Sequence, residues 1–265
     1  MPRFAANLTM LFGEVAFLDR FALAARAGFS GVEYLSPYEY DKRELRQRLD
    51  EHRLTQVLHN TPSGNWSSGE RGIACHPDRT LEFAEGVDRA VDYAESLGCP
   101  LVNCLAGVRP PGVDEQEARE TLVGNLKRAA SRLAAAGIAL LIEPINTRDV
   151  PGFFLRTTDQ ALEIIQAVGS DNLFLQYDVY HAQIMEGDLA TRIDRHHALI
   201  RHIQIADNPG RHEPGTGEIN FDFLFGAIDR TGYRGWVGCE YRPAAGTEQG
   251  LGWLNNWTRR ASANV

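Results

Sequence analysis

One unit recurs along the whole chain: a short apolar run, a terminal polar side chain, a loop rich in Gly, Pro or Asn, and an amphipathic stretch. The runs are Phe4–Asn7, Gly31–Tyr34, Gln56–His59, Leu101–Cys104, Ala139–Glu143, Leu173–Asp178, His202–Gln204 and Trp236–Glu240. Strand–helix alternation of this kind builds a parallel sheet with helices outside, because parallel neighbours need a long crossover between them. Eight such units close a (β/α)8 TIM barrel, which takes roughly 250 residues as one domain. The chain has 265 residues and no Pro/Ser-rich linker, low-complexity tract or long charge run. The expected fold is therefore a single TIM-barrel domain over residues 1–265. A doubly wound open sheet is the competitor, and it carries a glycine fingerprint after its first strand. Leu11-Phe12-Gly13-Glu14 offers one glycine there.

Two helical patterns are clear. Val15–Ala27 and Thr121–Ala136 repeat apolar residues at three- and four-residue spacing. Gly28 and Gly137 are expected to end them, and Asp41, Thr158 and Asn220 are expected N-caps.

Composition removes several function classes. The formal charge is −8 with no basic stripe, so nucleic acid is not an expected partner. No apolar run approaches the roughly 20 residues of a membrane helix. The first nine residues read as an element of the fold and not as a signal peptide, so a cytoplasmic location is expected. Only Lys42 and Lys127 are lysines among 27 basic residues. Both lie in polar helical stretches, which disfavours Schiff-base chemistry. Cys75, Cys99, Cys104 and Cys239 form no C-x-x-C pair and are expected to be reduced and buried. A homo-oligomer is compatible with this composition.

The active site of a TIM barrel forms at the C-terminal ends of its strands. Those ends carry Asn7, Glu33, His59, Asn103, Glu143, Asp178, Gln204 and Glu240. A single polar strand end often only bonds a loop amide; eight of them converge on one mouth. Four consecutive strands end in Glu143, Asp178, Gln204 and Glu240. Adjacent strands lie about 4.8 Å apart, so these side chains can meet above the barrel axis. Two glutamates, an aspartate and an amide oxygen form the donor set that Mg²⁺ or Mn²⁺ prefers. Without a cation, three buried carboxylates would repel one another and hold protons. Period-two alternation directs Ile142 and Cys239 outward and Gly238 inward. His202 shares a face with Gln204 and is expected to be a hydrogen-bonded interior residue.

At these residues the chain resembles the hydroxypyruvate isomerase family of xylose isomerase-like TIM barrels. The resemblance spans nearly the whole chain. It rests on Asn7-Leu8-Thr9-Met10-Leu11-Phe12, on His59-Asn60-Thr61-Pro62-Ser63-Gly64-Asn65-Trp66 and on Gly69-Glu70-Arg71-Gly72-Ile73-Ala74-Cys75. It continues through Ile142-Glu143-Pro144-Ile145-Asn146, Gln176-Tyr177-Asp178-Val179-Tyr180-His181 and His202-Ile203-Gln204-Ile205-Ala206-Asp207-Asn208-Pro209. It ends with Glu213-Pro214-Gly215-Thr216-Gly217-Glu218-Ile219-Asn220 and Gly238-Cys239-Glu240-Tyr241. The resemblance implies the same four metal ligands, with Glu143 and Glu240 as the acid/base pair. The implied reaction interconverts hydroxypyruvate and tartronate semialdehyde by proton transfer through an enediolate. The family also contains 2-oxo-tetronate isomerases, and an epimerase of a related keto sugar would use the same groups.

The expected substrate is a small hydroxy or keto acid, an anion that needs a local cation. Arg71 and Arg211, each in a loop after a strand, are the candidate carboxylate clamps. His59, Asn103 and His181 are candidates for substrate oxygens, and Trp66 for covering the site. Glu33 is expected to orient a ligand from behind, and Glu218 to cap a loop. A DNA-repair nuclease on this kind of barrel would need a multi-zinc, histidine-rich site and a basic face. A non-catalytic sugar-binding barrel would be favoured by loss of either strand-end glutamate, and both are present.

Overall fold

The computed structural model describes residues 2–254 and 257. Eight parallel strands close into one barrel, paired in chain order from the first to the eighth and back to the first. The strands are β1 (Arg3–Asn7), β2 (Gly31–Glu33), β3 (Thr55–Asn60), β4 (Leu101–Cys104), β5 (Ala139–Ile142), β6 (Leu173–Asp178), β7 (Ile200–Ile205) and β8 (Trp236–Cys239). Helices α1 (Arg20–Arg26), α2 (Lys42–His52), α3 (Thr80–Leu97), α4 (Glu115–Ala135) and α5 (Thr158–Val168) follow the first five strands in order. Two helices, α6 (Val179–Met185) and α7 (Leu189–His196), connect β6 to β7, and α8 (Phe221–Arg230) connects β7 to β8.

The period-two rule sorts β1 and β5 cleanly. On β1, Phe4 and Ala6 join the large core between sheet and helices, while Ala5 joins a small apolar cluster inside the barrel. Leu141 lies in that inner cluster with Val57 and Leu58, and its neighbours Leu140 and Ile142 lie outside. Above this apolar floor the inward positions turn polar: Asn7, Glu33, Gln176, His202 and Gln204 are all buried. A buried polar group is tolerated where hydrogen bonds replace water, and at the Glu33 carboxyl group they do. Glu33 Oε1 accepts from Asn7 and Gln204, and Glu33 Oε2 pairs with His202.

Gly238 makes room for that layer. A Cβ at 238 would sit 2.3–2.5 Å from the Glu33 carboxyl atoms. G238A is therefore expected to lose about 1–3 kcal/mol, the usual cost of overpacking a core. Urea unfolding at neutral pH measures it, and wild-type stability would refute the steric reading.

Helix ends follow local chemistry. Asp41 and Asn220 are N-caps, accepting from the amides of Arg43 and Phe223. At α5 the cap is Thr157, bonding the Gln160 amide, and not Thr158. Thr158 instead gives its amide and its hydroxyl to Glu186. The four cysteines are free and buried. Burial pushes the Cys75, Cys99 and Cys104 thiols up to about 12 and Cys239 well above its ordinary value, so none is a ready nucleophile. Among the described residues no helix is long and apolar enough to cross a membrane.

Candidate active site

The strand C-termini open into a cavity of about 560 Å³, whose lining includes Glu143, His181, Arg211, Glu240, Trp66 and Arg71. Met10, Leu35, Leu105 and Ile145 supply apolar wall. Glu143 stands one residue past β5 and Glu240 one residue past β8, with β6 and β7 between them. The Glu240 amide donates to the Ile205 carbonyl, which ties this position to β7.

Asp178 ends β6 and caps α6 at once. Its Oδ1 accepts from the amides of Tyr180 and His181 at 2.7 and 3.2 Å. Its Oδ2 lies 3.6 Å from His181 Nε2 and 3.9 Å from Arg211 Nη2. Because His181 is one turn into the helix that Asp178 caps, the two side chains share a face. Glu143 Oε2 accepts from Asn103 Nδ2 at 2.8 Å, and Glu143 Oε1 is 3.9 Å from His181 Nε2. Arg211 Nη2 donates to Glu240 Oε2 at 2.8 Å, and its guanidinium lies 5.0 Å from the Tyr180 ring centroid. Arg211 adopts a left-handed backbone, φ 54°, a strained state for a residue with a Cβ that folds retain where a site needs it.

The electrostatics follow from packing three carboxylates into one buried place. Burial, then the nearby Glu240 and Asp178 charges, hold Glu143 well above the usual carboxylate range. Burial pushes Glu240 up to about 8; Arg211 pulls it down, while Asp178 and Glu33 push it further up. Burial lowers His181 to about 4, so its ring is neutral at pH 7. This donor set fits a divalent cation. Glu143, Asp178 and His181 each bring one ligand atom within 4.8 Å of the others.

The other expected site residues fall in different places. Gln204 lies beside Asp178 in register on β7. Its Oε1 accepts from Gln176 Nε2 at 2.6 Å and its Nε2 donates to Glu33 Oε1 at 2.8 Å. Arg71 stacks its guanidinium 3.8 Å from the Trp66 ring centroid, and its Nη1 donates to the Trp66 and Glu70 carbonyls. Asn103 does not line the cavity; it stands behind Glu143. His59 does not line it either. Its Nδ1 faces the Asn60 carbonyl at 3.0 Å and the Tyr38 hydroxyl at 3.4 Å. Strand β3 runs one residue further than expected, which puts Asn60 at the cavity and turns His59 away. Glu218 anchors the loop after β7 by accepting from Asn208 and Gln183.

Sequence reasoning missed Asn146. Its Oδ1 accepts from the Asp149 amide at 2.8 Å, which turns its Nδ2 toward His181 Nδ1 at 2.6 Å. Asn146 closes the Ile142–Asn146 motif, but a motif does not say which side chain it will meet.

Comparison with known proteins gives the chain a family. The family model of the xylose isomerase-like TIM barrel matches residues 21–257. Hydroxypyruvate isomerase of Escherichia coli strain K12 is 53% identical over 96% of this chain and 99% of its own. The 2-oxo-tetronate isomerase of Cupriavidus necator is 51% identical over 98% of this chain and 100% of its own. A solved structure from Brucella melitensis, described as AP endonuclease, family 2, superposes with a TM-score of 0.95 at 47% identity, over 97% of this chain and 99% of that one. The chain belongs to the xylose isomerase-like TIM barrels and, within them, to the hydroxypyruvate isomerase family of enzymes.

Proposed function

We propose that this chain interconverts hydroxypyruvate and tartronate semialdehyde (2-hydroxy-3-oxopropanoate) by proton transfer. The observation that carries the reading is the pair Glu143 and Glu240, both buried, both raised in the metal-free site, and on one cavity from strands β5 and β8, which have two strands between them in the barrel wall. A carboxyl group tuned toward neutral pH can both take and return a proton.

In the forward direction one glutamate takes a proton from C3 of hydroxypyruvate. The C–H electron pair becomes the C2–C3 double bond of an enediolate. A glutamate then delivers a proton to C2, while the O3 hydroxyl proton is lost and O2 gains one. A divalent ion, Mg²⁺ or Mn²⁺, would be held by Glu143, Asp178, Gln204 and Glu240, and when bound supplies positive charge for the developing oxyanion. His181 stands beside two of these residues, Glu143 and Asp178. Asn146 donates to its Nδ1, so the neutral ring keeps its hydrogen on Nε2 and can donate to a substrate oxygen. Arg211 and Arg71 face the same cavity and suit the substrate carboxylate.

The test follows hydroxypyruvate by proton NMR in D₂O, with Mn²⁺-loaded or Mg²⁺-loaded protein against EDTA and enzyme-free blanks. Enzyme- and metal-dependent conversion with deuterium entering the product is the expected result. Conversion without solvent deuterium would replace proton exchange by an internal hydrogen shift. No conversion would exclude hydroxypyruvate. The second reading, isomerisation of a 2-oxo-tetronate, is favoured by the 51% identical relative and would then be assayed in the same way. A nuclease reading fits poorly: the chain carries −8, and its cluster is built from carboxylates with one histidine.

A further inference from the structure

Beneath the cavity a polar layer is assembled from side chains far apart in sequence, and of these only Gln204 has been given a part in the proposed reaction. Glu33 is its centre and is fully buried. Its Oε1 accepts from Asn7 Nδ2 at 2.9 Å and Gln204 Nε2 at 2.8 Å; its Oε2 lies 2.6 Å from His202 Nε2. Asn7 cannot turn its amide over, because its Oδ1 accepts from the Thr9 amide. Gly238 leaves the space in which the carboxyl group sits.

The consequence falls on Gln204. A primary amide has a donor end and an acceptor end of nearly the same shape, and only its partners decide which way it lies. With Glu33 Oε1 against one end, that end must be the NH₂. The reversed amide would set two acceptor oxygens against each other in a fully buried place, leaving both unsatisfied. Gln204 Oε1 must therefore lie on the far side, where it now accepts from Gln176 Nε2 and keeps a second lone pair. This is also the strand position beside Asp178.

We infer that Glu33 is a positioning residue: it fixes the amide of Gln204 so that oxygen, and not NH₂, is offered to the metal, with Asn7 and His202 holding Glu33 in place. This rests on the reading of Gln204 as a metal ligand. Partners behind a metal ligand typically alter affinity by about 10–100-fold when removed.

The experiment measures Mn²⁺ binding, by the electron paramagnetic resonance signal of free Mn²⁺, for wild type, Q204A, E33A and E33Q. Circular dichroism of each metal-free protein reports folding. E33A is expected to weaken Mn²⁺ binding by about 10–100-fold, because nothing then fixes which end of the Gln204 amide is offered to the metal. E33Q is expected to bind within about tenfold of wild type: Asn7 Nδ2 donates to the same oxygen as Gln204, so the substituted amide keeps its oxygen there and still orients Gln204. Should E33A fail to fold, E33M takes its place, filling the space without an acceptor. Unchanged binding in the variant that lacks the acceptor, or an E33Q as weak as that variant, would overturn the inference. If Q204A binds Mn²⁺ like wild type, the ligand assignment itself falls and the inference with it. A weakened Q204A beside an unaffected E33A would remove only the role of Glu33.

Discussion

E240Q, assayed at saturating Mn²⁺, is expected to lower kcat by about 10³-fold, within the range a positioned acid or base contributes. E143Q is expected to do the same. The amide has the shape of the carboxyl group and keeps an oxygen for its neighbour: Arg211 Nη2 for Glu240 and Asn103 Nδ2 for Glu143. What it loses is the ability to carry a proton. In the metal-free site burial pushes Glu240 up to about 8 against the pull of Arg211; a bound cation ionises it, which leaves the form that takes a proton. Deuterium exchange separates the two roles. A variant that still removes the C3 proton will wash deuterium into hydroxypyruvate without forming product. A variant that cannot remove it will leave the substrate unlabelled. A kcat within tenfold of wild type for both variants would dismiss the acid/base assignment. Mn²⁺ affinity is measured alongside, because loss of a ligand would also lower the rate.

The barrel and the carboxylates of the site are legible in the sequence for the same reason. An apolar run that stops at a carboxyl group marks both the strand and its end, and Glu143, Asp178 and Glu240 all follow that rule. The rule fails where a strand continues by one residue. On β3 the apolar pattern stops at His59 but pairing runs to Asn60, and one residue turns a side chain to the other face of the sheet. The environment of Gln204 is illegible for a different reason. Its orientation is decided by Glu33, 171 residues away in sequence, and such a contact exists only after the barrel closes. The same holds for His181, whose tautomer depends on Asn146, 35 residues earlier. The stacking of Arg71 on Trp66 is local, within one loop, yet loop conformation has no periodicity from which to read it.

Metal-free protein is expected to lose stability as pH rises from 7 to 8, and Mn²⁺ is expected to reverse the loss. The sign follows from the direction of the shifts. The unfolded chain releases the protons of Glu143 and Glu240 near their ordinary value of 4.5, whereas the folded, metal-free site holds them higher, Glu240 to about 8. Stability from these groups is complete below pH 4.5 and is lost as pH rises through the folded value. Each proton held only by the folded state costs about 1.4 kcal/mol per pH unit. A bound cation removes this cost, because both carboxylates then ionise beside a positive charge and binding releases their protons. At a free Mn²⁺ concentration 100 times Kd the gain is about 2.7 kcal/mol. In a chain of this size that raises Tm by about 5–10 °C. Histidine contributions do not confuse the window: His59 and His181 are lowered to about 4, so their contribution is gained mostly below pH 7. Buried thiols respond alike with and without metal and cancel in the difference. The measurement is Tm at pH 7 and pH 8, each with EDTA and with Mn²⁺. The Mn²⁺ shift must be larger at pH 8, and E240Q must flatten its pH dependence. A metal-free Tm that rises between pH 7 and pH 8, with a Mn²⁺ shift that does not grow, would mean that the buried carboxylates are already ionised and neutralised by Arg211 alone.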